Sequence, residues 1–297
     1  MQATNEKLHG KTTQIVAFLF YLIGGLMIFL WGANTFNLFS TNKNIVYEWG
    51  ITLLFFLLAV IMRRVPRLQV YWKIASALFL ASAAQAINMS LGNFLGPSLH
   101  ATGSDMQSLA VDKLSQAIPI VLTIILLTLW QGDDLGSLFL KRGNLRLGLR
   151  FGLISYAIFA VIFAVIVIIQ AKGPASQGLF ASGVSTTTIV AAIPWILLFC
   201  FSNSFMEELW FRGVSLRKLT PVLGWTSSII VTALVFGITH AAATYITPIQ
   251  MLLFSVIVIS LGLVNAYIML KTDSIWGSVF FHAGYDLLVI IPLLAST

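Results

Sequence analysis

Apolar residues in this chain come in long, almost unbroken runs, and polar positions gather between the runs instead of alternating within them. Nine such runs lie near 13–33, 45–62, 70–92, 113–131, 148–169, 186–209, 222–240, 248–270 and 275–295. Each approaches the roughly 20 residues that an α-helix needs to cross bilayer hydrocarbon. The pattern therefore predicts an all-α, polytopic membrane helix bundle of eight or nine transmembrane helices. Residues 93–112, with Asn93, Gly96, Pro97, Gly103, Ser104 and Asp105, read as a polar external loop, and 170–185 around Gly173-Pro174 as a second. Residues 132–147 mix apolar side chains with Lys141 and Arg142 and read as an ordinary loop or short surface helix at the opposite interface.

No solenoid-type repeat and no long Pro/Gly/Ser linker divides the chain, which reads as one membrane domain. Within it, residues 1–147 are expected to serve packing and enclosure, since no acid or histidine in them is expected to lie deep. Residues 148–297 carry the chemistry. Gly148-x-x-x-Gly152 opens the fifth span with a spacing that suits close helix contact.

Composition narrows the class further. With 58% hydrophobic and 9% charged residues and a mean hydropathy of +0.93, the chain has too little polar surface to coat a soluble globule. The net charge of +7 suggests nucleic acid as a partner until the cations are placed. Lys7, Lys11, Arg63, Arg64, Arg67, Lys73, Lys141, Arg142, Arg146, Arg150, Arg212, Arg217, Lys218 and Lys271 all fall on one side of a nine-span topology, 14 of 17 Lys and Arg. Only Lys43, Lys113 and Lys172 fall opposite. That bias is the positive-inside signature: no nucleic acid, the N-terminus cytoplasmic, the C-terminus outside. Trp31, Trp49, Trp72, Trp130, Trp225 and Trp276 sit near span ends, as interfacial tryptophans do. The first apolar run is too long for a signal-peptide core and is read as a retained span. The single Cys200 forbids an intrachain disulfide and reads as a buried, inert thiol.

Ionisable side chains inside apolar spans are functional candidates by default. Of ten acids and four histidines, three acids and two histidines fall in three short patterns: Glu207-Glu208-x-x-x-Arg212, Phe236-x-x-x-His240 and His282-x-x-x-Asp286. Glu208 and Arg212 are four apart with the acid first, the favourable orientation for a helical ion pair. Glu207 points about 100° away, lacks a counter-ion in its own helix and is a candidate general base. Phe236 lies one turn before His240 and can shield one face of the imidazole. His282 and Asp286 share a helix face, so the carboxylate can set the ring's tautomer, or both can meet one bound atom.

In this order, the three motifs resemble the CAAX protease and bacteriocin-processing family, also called the Abi family of intramembrane proteases. The approach Ser274-Ile275-Trp276 to His282-Ala283 is similar too, and the resemblance spans about 150–292. It implies that Glu207 and His240 activate a water against a peptide carbonyl, that Glu208 and Arg212 support the site, and that His282 and residue 286 stabilise the oxyanion. The family pattern takes Asn or Asp at the last position. An amide donates to an oxyanion whereas an ionised carboxylate repels it, so Asp286 is expected either to be protonated or, the favoured reading, to act through His282. Two readings of the water's activation stay open: a zinc held by Glu207, His240 and His282, or a metal-free glutamate mechanism with no cofactor. No His-Glu-x-x-His helix is present, and no Gly-x-Ser-x-Gly elbow or second membrane Asp supports a serine or aspartyl mechanism.

The implied function is an intramembrane endopeptidase acting on a membrane-associated peptide or protein, in a bacterial cell membrane. A non-catalytic scaffold or bacteriocin-immunity protein of the same fold is the first rival. A proton-coupled transporter is the second, disfavoured because no inverted repeat or paired broken helices occur.

Overall fold

The structure is a computed structural model that describes residues 10–32, 41–101, 103, 105–171, 186–243 and 248–294. Lys7, Ser104, Lys172 and the Gly173-Pro174 loop lie outside the described residues. Every apolar run forms a helix: α1 Lys11–Leu26, α2 Thr41–Arg64, α3 Trp72–Leu91, α4 Met106–Trp130, α5 Leu145–Ala171, α6 Thr186–Glu207, α7 Leu216–Ala243, α8 Pro248–Thr272 and α9 Trp276–Leu294. No strand occurs among the described residues, and eight helices there are long and apolar enough to cross a membrane. The protein is an integral membrane helix bundle.

Two helices end in widened π turns, Met27–Trp31 after α1 and Glu208–Gly213 after α6. The second carries the first motif. α7 contains a break: Gly224 at φ 75°, ψ 173° follows Pro221, a backbone conformation that only glycine adopts easily.

Four packed pairs build the bundle: α2 with α3, α7 with α8, α5 with α9 and α4 with α6. α3 is the most enclosed span, because Ala75, Ser76, Ala77, Ala81, Ser82, Ala83, Ala84 and Ala86 bury a surface of small side chains that neighbours can approach closely. α5 is its converse, with Leu153, Ile154, Ile158, Val161 and Ile162 facing outward as a lipid-exposed helix should. Asp105 caps α4, its carboxylate accepting from the Ser108 N–H at 2.7 Å. That backbone bond, then the Ser108 hydroxyl, holds the Asp105 carboxyl below its ordinary range, so the cap's contribution is present above the usual carboxyl pKa and is lost as pH falls through the lowered one.

The 132–147 segment is more than a surface loop. Leu138 and Phe139 are buried, the Arg217 guanidinium lies 4.2 Å over the Phe139 ring, and Asp273 pairs with both Arg217 and Lys141. Backbone bonds from Ile275 to Phe139 and from Asn144 to Thr272 tie it to the α8–α9 junction.

One expectation is corrected. Glu48, on α2 in the first half, is fully buried, so that half does contain a deep acid. Arg212 is also fully buried.

Gly148 and Gly152 bracket Gly277 across the α5–α9 contact. A Cβ at Gly277 would stand 2.7 Å from the Gly148 backbone, and one at Gly152 would stand 2.8 Å from the Gly277 carbonyl. Gly277→Val is therefore expected to force α5 from α9 and cost about 1–3 kcal/mol, read as a lower unfolding midpoint in detergent. The same change at exposed Gly50, where a Cβ meets nothing, is expected to be far milder.

Candidate active site

The site is built where the π turn after α6 meets α7, α8 and α9. In the turn the Val214 N–H bonds to Leu209 O, five residues back, so the helix is locally wider. π turns of this kind frequently mark functional sites. The turn is held by aromatic packing: Phe211 stacks on Phe29 of the α1 π turn at 4.1 Å and meets Phe236 edge-on at 5.0 Å. The Trp210 ring N–H donates to the Ala81 carbonyl of α3 at 2.9 Å.

Glu208 is fully buried and its Oε1 accepts from three donors: Arg212 Nη1 at 2.6 Å, Asn265 Nδ2 at 2.9 Å and His282 Nδ1 at 2.8 Å. Three elements thus converge on one oxygen. The Arg212 guanidinium lies 4.2 Å over the Phe236 ring, which offers the face of its π system to the cation. Gly262 of α8 makes room there, since a Cβ would stand 3.0 Å from Arg212 Nη2.

Glu207 faces a different space. Its Oε2 is 3.4 Å from His240 Nε2 and 3.7 Å from His282 Nε2. The counter-groups absent from its own helix are supplied by α7 and α9. His240 Nδ1 is 2.9 Å from the Phe236 carbonyl, and the imidazole lies 4.2 Å from the Phe236 ring. These bonds assign the tautomers: each Nδ1–H donates, to Phe236 O in His240 and to Glu208 in His282, and each Nε2 turns toward Glu207.

Asp286 lies beside His282 without a hydrogen bond to it. Its Oδ1 is 3.6 Å from His282 Nε2, beyond hydrogen-bond length, while its Oδ2 accepts from Asn203 Nδ2 at 3.0 Å. The carboxylate that sets the His282 ring is Glu208, which arrives from α6 at the opposite nitrogen. Two residues at i and i+4 share a face, but their side chains need not reach hydrogen-bond distance.

All seven residues singled out from the sequence, Glu207, Glu208, Arg212, Phe236, His240, His282 and Asp286, are brought together. Sequence reasoning missed Asn203 and Asn265, although each is an amide in a strongly apolar helix and that alone was a signal. Lys113 lies in the second turn of α4, donates to Gln116 at 2.8 Å and sits 5.7 Å from the Phe199 ring of α6. Among the described residues no three His, Cys, Asp or Glu side chains are arranged to hold a metal ion, the Glu207, His240 and His282 set included.

With this geometry in hand, the class is defined: a helical membrane protein with an acid–histidine site enclosed by its helices. Residues 189–288, from α6 into α9 and across all three motifs, match the family described as Type II CAAX prenyl endopeptidase Rce1-like. The match agrees with the CAAX protease resemblance carried by the three motifs. No curated protein and no solved structure matches the chain.

Removing one member of a buried ion pair strands the other. Arg212→Met is expected to destabilise the protein by about 3–5 kcal/mol. Combining it with Glu208→Gln is expected to recover part of that loss, measured as unfolding midpoints of the two single variants and the double variant.

Proposed function

We propose that this protein is an intramembrane endopeptidase that hydrolyses a membrane-associated peptide or protein with a water activated by Glu207 and His240. The observation that carries the reading is the convergence of one Glu207 oxygen on two imidazole Nε2 atoms from different helices, at 3.4 and 3.7 Å. His240 Nε2 is a lone-pair acceptor in the assigned tautomer, as is the Glu207 carboxylate. A water between Glu207 and His240 can donate to both, which leaves its own lone pair free for attack.

The water oxygen bonds to the scissile carbonyl carbon while its proton passes to Glu207. His282, protonated at Nε2 and held at Nδ1 by Glu208, donates to the oxyanion that forms. Collapse of the tetrahedral intermediate breaks the C–N bond, and the proton on Glu207 goes to the leaving amine. Asp286, aligned by Asn203, supports the charged form of His282 and does not contact the oxyanion. Glu208, Arg212, Asn265 and Phe236 are positioning residues. The substrate class named by the matching family is a prenylated peptide. Placement in a bacterial cell membrane, with the N-terminus cytoplasmic, completes the reading and rests on the distribution of Lys and Arg.

The test is a comparison of membrane-protein termini in cells carrying the native chain, Glu207→Gln or His240→Ala. Termini generated by the native chain are expected to fall about 10²–10⁴-fold in both variants, with expression and unfolding midpoint near native. A cellular phenotype that persists in both would support the scaffold reading and defeat the peptidase one.

A further inference from the structure

Glu48 lies far in sequence from the peptidase motifs, in the half expected only to pack. It is fully buried on α2, makes no ion pair among the described residues, and neither carboxylate oxygen has a hydrogen-bond partner. A buried carboxylate left this way is among the most unfavourable groups a fold can hold, so something positive must accompany it.

Its surroundings are acceptors. Asn44, one turn earlier on the same face of α2, gives its Nδ2 to the Gly32 carbonyl at 2.9 Å and to Met89 Sδ of α3 at 3.6 Å. That turns Asn44 Oδ1 away from both, and this buried oxygen has no donor. Gln85 lies one turn before Met89 on α3, and its Oε1 is likewise buried without a donor. The helices run antiparallel, as the Phe56–Phe79 and Arg63–Trp72 contacts show, so the meeting of Asn44 with Met89 puts Glu48 and Gln85 at one level of the seam.

The end of α1 forms the third wall. Glu48 Oε1 fills the space a side chain at Gly32 would take, and the Ile28 carbonyl oxygen borders the same space. A helix C-terminus is the negative end of its dipole, which compounds the need for a cation. Four donor-less buried oxygens, two from Glu48 and one each from Asn44 and Gln85, therefore gather beside a helix end. Oxygen acceptors without donors are the ligand chemistry of hard cations, and interrupted membrane helices supply carbonyls to such ions.

We propose that Glu48, Asn44, Gln85 and the carbonyls at the end of α1 form a binding site for a small monovalent cation of the sodium type. One carboxylate balances one positive charge and leaves the buried cluster neutral. The bound ion would brace the α1 π turn, whose Phe29 stacks on Phe211 at 4.1 Å and meets Trp210 at 4.9 Å in the turn that carries Glu208.

The test uses the full chain in detergent, with thermal unfolding followed in sodium chloride against choline chloride at constant ionic strength. Sodium at about ten times its half-saturating concentration is expected to raise the midpoint by about 2–4 °C, saturably. Glu48→Gln is expected to lose the response and to be at least as stable as the native chain in choline, because a neutral amide needs no counter-ion. Gln85→Met keeps the carboxylate and the side-chain volume, and is expected to raise the half-saturating sodium concentration about fivefold or more. It decides the matter if Glu48→Gln fails to fold. A native midpoint equal in sodium and choline overturns the proposal and assigns Glu48 a buried proton instead. A sodium response retained in Glu48→Gln, or unchanged in Gln85→Met, overturns it as well.

Discussion

One carboxylate oxygen, Glu208 Oε1, accepts from Arg212, Asn265 and His282, and the rest of the site takes its shape from that meeting. In a low-dielectric interior each of these groups would be costly alone. The three hydrogen bonds make them compatible and fix three elements at once: the π turn after α6, the second half of α8 and the first turns of α9. They also set the direction of His282. With Nδ1 committed to Glu208, Nε2 turns toward Glu207, and the neighbouring acids separate into one that ties three elements together and one that faces the two imidazole Nε2 atoms.

The backbone arrangements around the site serve the same end. The π turn widens α6 where Glu208 and Arg212 must both point inward. Gly262 lets α8 approach the guanidinium, and the glycines of α5 and α9 let those helices touch beside the junction that leads to His282. α1 contributes through Phe29, which stacks on the π turn from the far side. The first half of the chain is thus coupled to the site by contact while supplying none of its proposed reacting groups.

Much of this was legible in the chain. Helix class and number followed from the lengths of the apolar runs, because a bilayer admits only spans whose backbone polar groups are satisfied internally. The site residues stood out because ionisable side chains are rare in such runs. Asn203 and Asn265 carried the same signal in weaker form and were passed over, since an amide in a span costs less than a charge. Glu48 was missed for another reason: it lies close to Lys43 and the start of its helix, where a sequence suggests solvation, and only the packing of α1 and α3 over it makes it deep.

The sequence alone determined that the chain crosses a membrane repeatedly as helices and that Glu207, Glu208, Arg212, Phe236, His240, His282 and Asp286 are candidates for one chemistry. Both conclusions rest on transfer from water to hydrocarbon, which each residue undergoes regardless of its neighbours. The tertiary structure decided which partners meet: Glu208 rather than Asp286 at Nδ1 of the His282 ring, Asn203 at Asp286, and Asn265 beside Arg212 at Glu208. Those choices depend on which helices lie side by side and on a widened turn, and hydrogen bonds a few ångströms long between residues up to 83 positions apart leave no trace in local periodicity.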